Sequence, residues 1–200
     1  LIGALIMAHG DARGLVLPPV VAPVQAILIP IAAKKEGVLE AVDALKAQLL
    51  AAGIRADADK SDNSPGWKFN EWEMKGVPLR IELGPRDIEA GKMTLVRRDT
   101  HEKIEAPLEN AAETVRKLLA DIQSNLLESA RRRKEERVVA AGSGEELPRG
   151  VEGGHFVKAG WGGCRACADK IKEQTPASAP LIGEDETAET CVCCGKKAKH

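Results

Sequence analysis

Gln25-Ala26-Ile27-Leu28-Ile29-Pro30-Ile31 is an almost unbroken apolar run, and its reading decides the fold class. Such a run predicts a strand covered on both faces. From Lys35 the period changes, and Val38, Val42, Leu45 and Leu49 recur on one face of an α-helix. Gly53 stands where a helix C-cap glycine is expected. A short strand is predicted from Ile54, then a polar turn Ser61-Asp62-Asn63-Ser64-Pro65. Ser64 caps a helix whose first residue is Pro65 and which runs to about Gly76. Val77–Leu83 alternates as a strand closed by Gly84-Pro85, and Met93–Val96 is another strand. Pro107 is expected to open a long helix with Leu108, Ala112, Val115, Leu119, Ile122 and Leu126 on one face. Strands alternating with helices give an α/β domain from about Gln25 to Leu126, a mixed or parallel sheet flanked by helices.

Outward from this block the chain changes character. Upstream, Leu1–Met7 is apolar and reads as a buried helix or strand cut from a longer chain, ending in the polar loop His9-Gly10-Asp11. Gly14-Leu15-Val16-Leu17-Pro18-Pro19 is extended, because each proline pushes its predecessor out of helical space. Downstream, Arg131–Arg137 continues the long helix with a charged surface. Gly142-Ser143-Gly144 and Pro148-Arg149-Gly150 are expected to break regular structure. The last fifty residues hold few large apolar side chains, so that region needs a staple to fold.

Composition limits the choices further. Twenty-nine basic residues against 30 acidic ones leave a net charge of −1, so any nucleic-acid contact must come from local arrangement. Aromatics are 2% of the chain and tyrosine is absent, which leaves Ala, Val, Leu and Ile to build the core. No apolar run reaches membrane-spanning length. The apolar start has neither a basic leader nor a cleavage signature.

All five cysteines fall between Cys164 and Cys194. Cys164-x-x-Cys167 and Cys191-x-x-Cys194-Gly195 match the paired knuckles of a tetrahedral thiolate zinc site, in which each tight turn aims two sulfurs at one ion. A closed site of four thiolates has a structural role. Free thiols or a redox pair are the alternative. His9-Gly10-Asp11 invites a general-base reading, although a lone His and Asp in a loop more often form a turn. Gly142-Ser143-Gly144 follows a charged helix instead of a strand and reads as linker, not as a phosphate loop. Trp67, Phe69 and Trp72 share a short helix with Lys and Glu, a composition suited to stacking on unpaired bases, while spacing alone favours core packing. Arg80, Arg86, Arg97, Arg98 and Lys103 could border the same surface, or form a solvated, salt-bridged face. Arg131–Arg137 has the same two readings, phosphate contact being the sharper one.

His9-Gly10-Asp11 with Gly14–Pro19 and Ala22-Pro23-Val24-Gln25 resembles the end of the class II catalytic core in prolyl-tRNA synthetases of the archaeal and eukaryotic type. Gly66-Trp67-Lys68-Phe69, Glu71-Trp72-Glu73, Lys75–Arg80 and Gly84-Pro85-Arg86-Asp87 resemble that family's anticodon-binding domain, and the cysteine segment its C-terminal zinc domain. The resemblance implies residues 1–25 as the end of the catalytic core, 26–126 as the anticodon-binding domain and 127–200 as a small zinc-type α+β domain. It implies that Glu73, Arg80, Arg86 and Lys103 bind RNA, with Glu73 and Arg80 reading anticodon guanines. A carboxylate accepts from guanine N1 and N2, and an arginine forks onto O6 and N7. Structural zinc on Cys164, Cys167, Cys191 and Cys194 is implied too. For a full-length enzyme the resemblance implies ATP, Mg, L-proline and tRNA(Pro) as partners, a homodimer, and a cytoplasmic location. It places the ATP-site motifs upstream of Leu1, so no catalytic residue is expected in this segment, which should be inactive alone.

Three positions depart from the family pattern. Val20 replaces a usual basic residue, the first knuckle has fewer intervening residues than many relatives, and the chain ends at His200 where a tyrosine is usual. A free-standing anticodon-domain module without ligase activity is the competing function, and a zinc-ribbon scaffold a third. The His9–Pro19 block argues against the module, and the α/β block is unexplained by the scaffold.

Overall fold

The computed structural model describes residues 2–176 and 189–199, so Leu1 and His200 lie outside the described residues. The chain divides into two compact units, Leu1–Ala130 and Arg131–His200. In the first, α1 (Ile2–His9) buries none of its residues, with Ile2 and Met7 largely exposed. The buried element expected there is therefore a helix with no buried residue among those described.

All five residues of β1 (Ala26–Pro30) are buried. The helix α2 (Val38–Ala51) buries Val38, Val42, Leu45 and Leu49. It ends where Gly53, at φ 78°, turns the chain so that its N–H reaches Leu50 O at 2.9 Å and the N–H of Ile54 reaches Leu49 O at 3.0 Å. β2 (Ala56–Ala58) follows, then α3 (Pro65–Met74), where the Ser64 hydroxyl accepts from Trp67 N at 3.4 Å. Pro65 costs this helix nothing, since a first-turn N–H has no partner in any helix.

β3 (Leu79–Leu83) leads into α4 (Pro85–Glu89), a turn of helix where only a closing Gly-Pro was expected. Its start is fixed by Asp87, whose carboxylate accepts from Gly84 N at 2.8 Å. β4 (Lys92–Arg97) and β5 (Lys103–Pro107) complete the sheet, and α5 (Ala111–Glu136) closes the unit. Pro107 ends β5 instead of opening a helix. As the last residue of an edge strand it has no ladder bond to lose. Only Ala106 of β5 is buried, so this strand left little apolar trace in the sequence.

The sheet order is β2-β1-β3-β4-β5. β2, β1 and β3 run parallel, and β4 and β5 are antiparallel, so the sheet is mixed and flanked by helices. Alternation along β1 sends Ala26 and Leu28 into the larger core, with Val42, Leu45 and Leu49 of α2 and Val115, Leu119 and Ile122 of α5. Ile27 and Ile29 face the opposite way, onto Val77, Phe69 and Trp72.

The second unit holds β6 (Val138–Ala141), α6 (Glu146–Glu152), β7 (Phe156–Ala159) and α7 (Arg165–Gln174), with β6 and β7 paired in parallel. Pro148-Arg149-Gly150 is inside α6, contrary to the break expected there. Pro148 is the third residue of that helix, within the first turn where its missing N–H is not needed. No helix among the described residues is long and apolar enough to cross a membrane.

Candidate functional site

Successive residues of a strand point to opposite faces. Leu79, Ile81 and Leu83 enter the larger core, so Arg80 and Glu82 share the face that carries α3. The register extends this face across the sheet. Arg80 pairs with Val96 and Val96 with Lys103, while Glu82 pairs with Thr94 and Thr94 with Glu105. Packing of α3 on β1 covers only one side of that face, and the part over β3, β4 and β5 is polar apart from Val96.

Glu82 is the hub of it. Buried, with 7% of its surface exposed, it accepts at Oε1 from Nε and Nη2 of Arg80 at 3.1 and 3.0 Å. Its Oε2 accepts from Lys103 Nζ at 3.0 Å. The Arg80 guanidinium also stacks 4.2 Å over the Phe69 ring. One edge of Arg80 is thus committed to Glu82 and its plane to Phe69, so the fork is held in a fixed orientation.

Glu73 occupies the last turn of α3. Its Oε1 lies 3.0 Å from Arg13 Nη1 and 3.7 Å from His101 Nδ1. His101 sits in the turn between β4 and β5 at φ 59°, a left-handed position uncommon for histidine. Glu73 and Arg80 line one cleft of about 210 Å³, with Arg13, Trp72, Val77 and His101 among its other walls. Lys103 joins this group through Glu82. Arg86, on α4, is exposed and is not among the cleft's lining residues.

Arg97 and Arg98 are tied down. Arg97 donates Nε and Nη2 to Asp99 at 3.0 and 2.7 Å, and Asn125 donates to the same carboxylate at 2.7 Å. Burial raises the Asp99 pKa, but Arg97 and Asn125 outweigh it and hold the carboxyl below its usual range. Arg98 grips Asp11 with two bonds of 2.7 Å. That guanidinium holds the Asp11 carboxyl well below the usual carboxylate range, against the opposing effect of burial. Asp11 is therefore an ion-pair partner, not a general base.

The aromatic helix divides between both of its readings. Trp67 is half exposed. Phe69 and Trp72 pack on the smaller core, with Trp72 Nε1 donating to Asp59 at 2.8 Å.

In the second unit the two knuckles converge. Cys164, Cys167 and Cys194 have sulfurs within 4.8 Å of one another and could hold a metal ion. Cys164 and Cys167 are joined as a disulfide, a state in which neither sulfur is a thiolate ligand. Cys191 is buried outside this close group. Burial pushes its thiol up, while the backbone N–H groups of Cys194, Cys193 and Gly162 bond its sulfur and bring it below its usual value. Bonds of that kind favour a thiolate. The second knuckle turns back on itself, with Gly195 N donating to Cys191 O at 2.9 Å and Gly195 at φ 67°. Cys193 is half-buried and is not one of the three sulfurs that converge.

Known proteins are similar to this chain along its length. The family model described as an anticodon binding domain matches residues 25–118, and the one described as prolyl-tRNA synthetase, C-terminal, matches residues 145–200. The chain thus matches an anticodon-binding domain model and a prolyl-tRNA synthetase C-terminal model in tandem. It is 50% identical over 202 residues to a proline–tRNA ligase of Ruminiclostridium cellulolyticum, covering all of this chain and 42% of that protein. A ligase of Oceanobacillus iheyensis is 49% identical over the same shares. The crystal structure of the prolyl-tRNA synthetase of Cryptosporidium parvum, complexed with L-proline and AMP, superposes with a TM-score of 0.94 at 38% identity. It matches 99% of this chain and 44% of its own. The chain therefore spans less than half the length of the synthetases it resembles.

Sequence reasoning missed Arg13 and His101 in the cleft, and Glu82, which holds Arg80. An Arg-x-Glu pair in an alternating strand places both residues on one face, and that spacing was a usable signal for Glu82. Arg13 and His101 meet Glu73 across 60 and 28 residues of chain, and no local pattern announces such contacts.

Proposed function

We propose that this chain is the anticodon-reading and C-terminal part of a proline–tRNA ligase, which joins L-proline to tRNA(Pro) using ATP and Mg. The observation that carries this reading is the cleft in which the Glu73 carboxylate and the Arg80 guanidinium stand together. Guanine offers donors at N1 and N2 on one edge and acceptors at O6 and N7 on another, and these two side chains complement them. Glu73 accepts from N1 and N2. Arg80, held by Glu82 through Nε and Nη2, turns its remaining hydrogens to O6 and N7. Lys103 and Arg86 contact the RNA around the cleft as cations.

By the same reading, residues 1–25 end the catalytic core, 26–126 read the anticodon and 127–200 form the zinc domain. The full-length ligase is a cytoplasmic homodimer. Cys164, Cys167, Cys191 and Cys194 would hold zinc when reduced. That donor set fits, with three sulfurs converging and the fourth bonded by backbone N–H groups. Zinc bound by four thiolates cross-links the fold and leaves no position open for chemistry.

The test is a four-way cycle of wild type and Arg80→Ala against tRNA(Pro) and a transcript whose anticodon guanines are replaced. Arg80→Ala should weaken binding of the matching tRNA by roughly 1–3 kcal/mol and affect the replaced one far less. Equal weakening of both would reduce Arg80 to a general electrostatic contact and overturn the reading.

A further inference from the structure

We infer that Arg98 is a positioning residue that ties the setting of Glu73 to residues 11–17, so that base reading in the cleft and the placement of that segment are coupled. The inference rests on the reading of Glu73 given above.

The Arg98 side chain is 3% exposed, and its donors are divided between two parts of the chain. Nη1 and Nη2 hold the two oxygens of Asp11 at 2.7 Å each, and Nε donates to the main-chain carbonyl of Glu73 at 2.9 Å. A guanidinium so buried tolerates few arrangements, because each unpaired N–H is costly out of water. Asp11 in turn organises its own loop, accepting from Arg13 N at 2.8 Å and bridging to Gly14. The Arg13 side chain reaches from that loop to the Glu73 carboxylate. Both the carbonyl and the carboxylate of Glu73 are therefore bonded to one small group of residues.

The contact continues along the backbone with no slack. Leu15 N donates to Met74 O at 3.0 Å and Leu17 N to Gly76 O at 3.1 Å. A Cβ on Gly14 would sit 2.6 Å from Met74 O, and one on Gly76 would sit 2.6 Å from Leu15 Cβ. The end of α3 and residues 14–17 thus move together or not at all.

One bond of this assembly is exchangeable. Arg13 is largely exposed, so its bond to Glu73 is one that an incoming donor can replace. A guanine that takes the carboxylate releases Arg13, while Arg98 keeps Asp11 and the Glu73 backbone in place. Two ligands competing for one carboxylate, one of them part of the 11–14 loop, couple cleft occupancy to that loop.

The test uses the full-length ligase containing this chain, with Asp11→Asn as the main variant because Asp11 is near the surface. Arg98→Lys, which keeps the charge but loses the fork, is the second. Asp11→Asn should lower kcat/KM for the matching transcript by roughly 2- to 30-fold and leave the guanine-replaced transcript much less affected. Because Asp11 lies in the segment read as the end of the catalytic core, each variant's loss is taken relative to its own proline-dependent pyrophosphate exchange without tRNA. In a Glu73→Gln background the added Asp11→Asn change should have no further effect on discrimination. Equal losses on both transcripts, or an additive effect in that background, would show a merely structural bond and overturn the inference. Arg80→Ala on the same two transcripts separates the failures. If Arg80→Ala discriminates and neither Asp11→Asn nor Arg98→Lys does, only this inference falls; if Arg80→Ala does not, both fall.

Discussion

The Asp99 carboxylate, with 1% of its side chain exposed, accepts from both Arg97 and Asn125 and so carries its charge in a nearly dry site. Its folded-state pKa is depressed, so its contribution to stability is complete above the ordinary carboxyl value and is lost as pH falls through the folded value. Asp99→Asn leaves Arg97 half-paired and should cost roughly 3 kcal/mol in denaturant unfolding at neutral pH. The gap between variant and wild type should close as pH drops below the ordinary carboxyl value of 3.8. A gap that stays constant down to about pH 3 would mean that the charge is not what stabilises the site. Single residues were the least legible scale of this chain. Glu73 and Arg80 came from resemblance, and their polar partners depend on tertiary approach. Arg97 and Arg98 read equally well as RNA contacts until their carboxylate partners, Asp99 and Asp11, were in view.

Elements were legible in proportion to the apolar surface they bury. β1 and α2 bury whole runs or whole faces, so period alone located them. α5 was recognised too, although its buried stripe uses Ala111 and Leu118 beyond the Ala112 phase read from sequence. β5 and α4 escaped because an edge strand and a single helical turn bury too little to impose a period. Pro148 misled for a related reason, since a proline marks a break only when its position within the helix is known. The dependence of the first unit on α5 can be measured. Ile122 is fully buried between that helix and the sheet, and Ile122→Ala should cost about 2–5 kcal/mol. Lys117→Ala, on the exposed face of the same helix, should stay within about 0.5 kcal/mol. Comparable losses for both would mean that helix propensity, not burial, secures α5.

At the scale of the whole molecule the two units differ in what holds them. The first has a layered core on both sides of a five-stranded sheet. In the second, the buried apolar side chains among the described residues are Ala141, Leu147, Cys167 and Cys191. So few small residues do not offset the ordering entropy of such a segment, and half of that core is cysteine. On the zinc reading, metal bound to the four reduced thiolates would supply the missing free energy, about 10–16 kcal/mol in zinc-finger peptides near neutral pH. Protein purified under reduction and without chelator should contain about one equivalent of zinc. Cys194→Ser should lower that content and Cys193→Ser should not. Chelation should abolish the cooperative unfolding of the second unit while the transition of the first persists. Denatured, metal-free protein should then titrate five thiols, against three if Cys164 and Cys167 are a lasting disulfide. Three thiols together with under about a tenth of an equivalent of zinc would assign the staple to the disulfide and remove the metal.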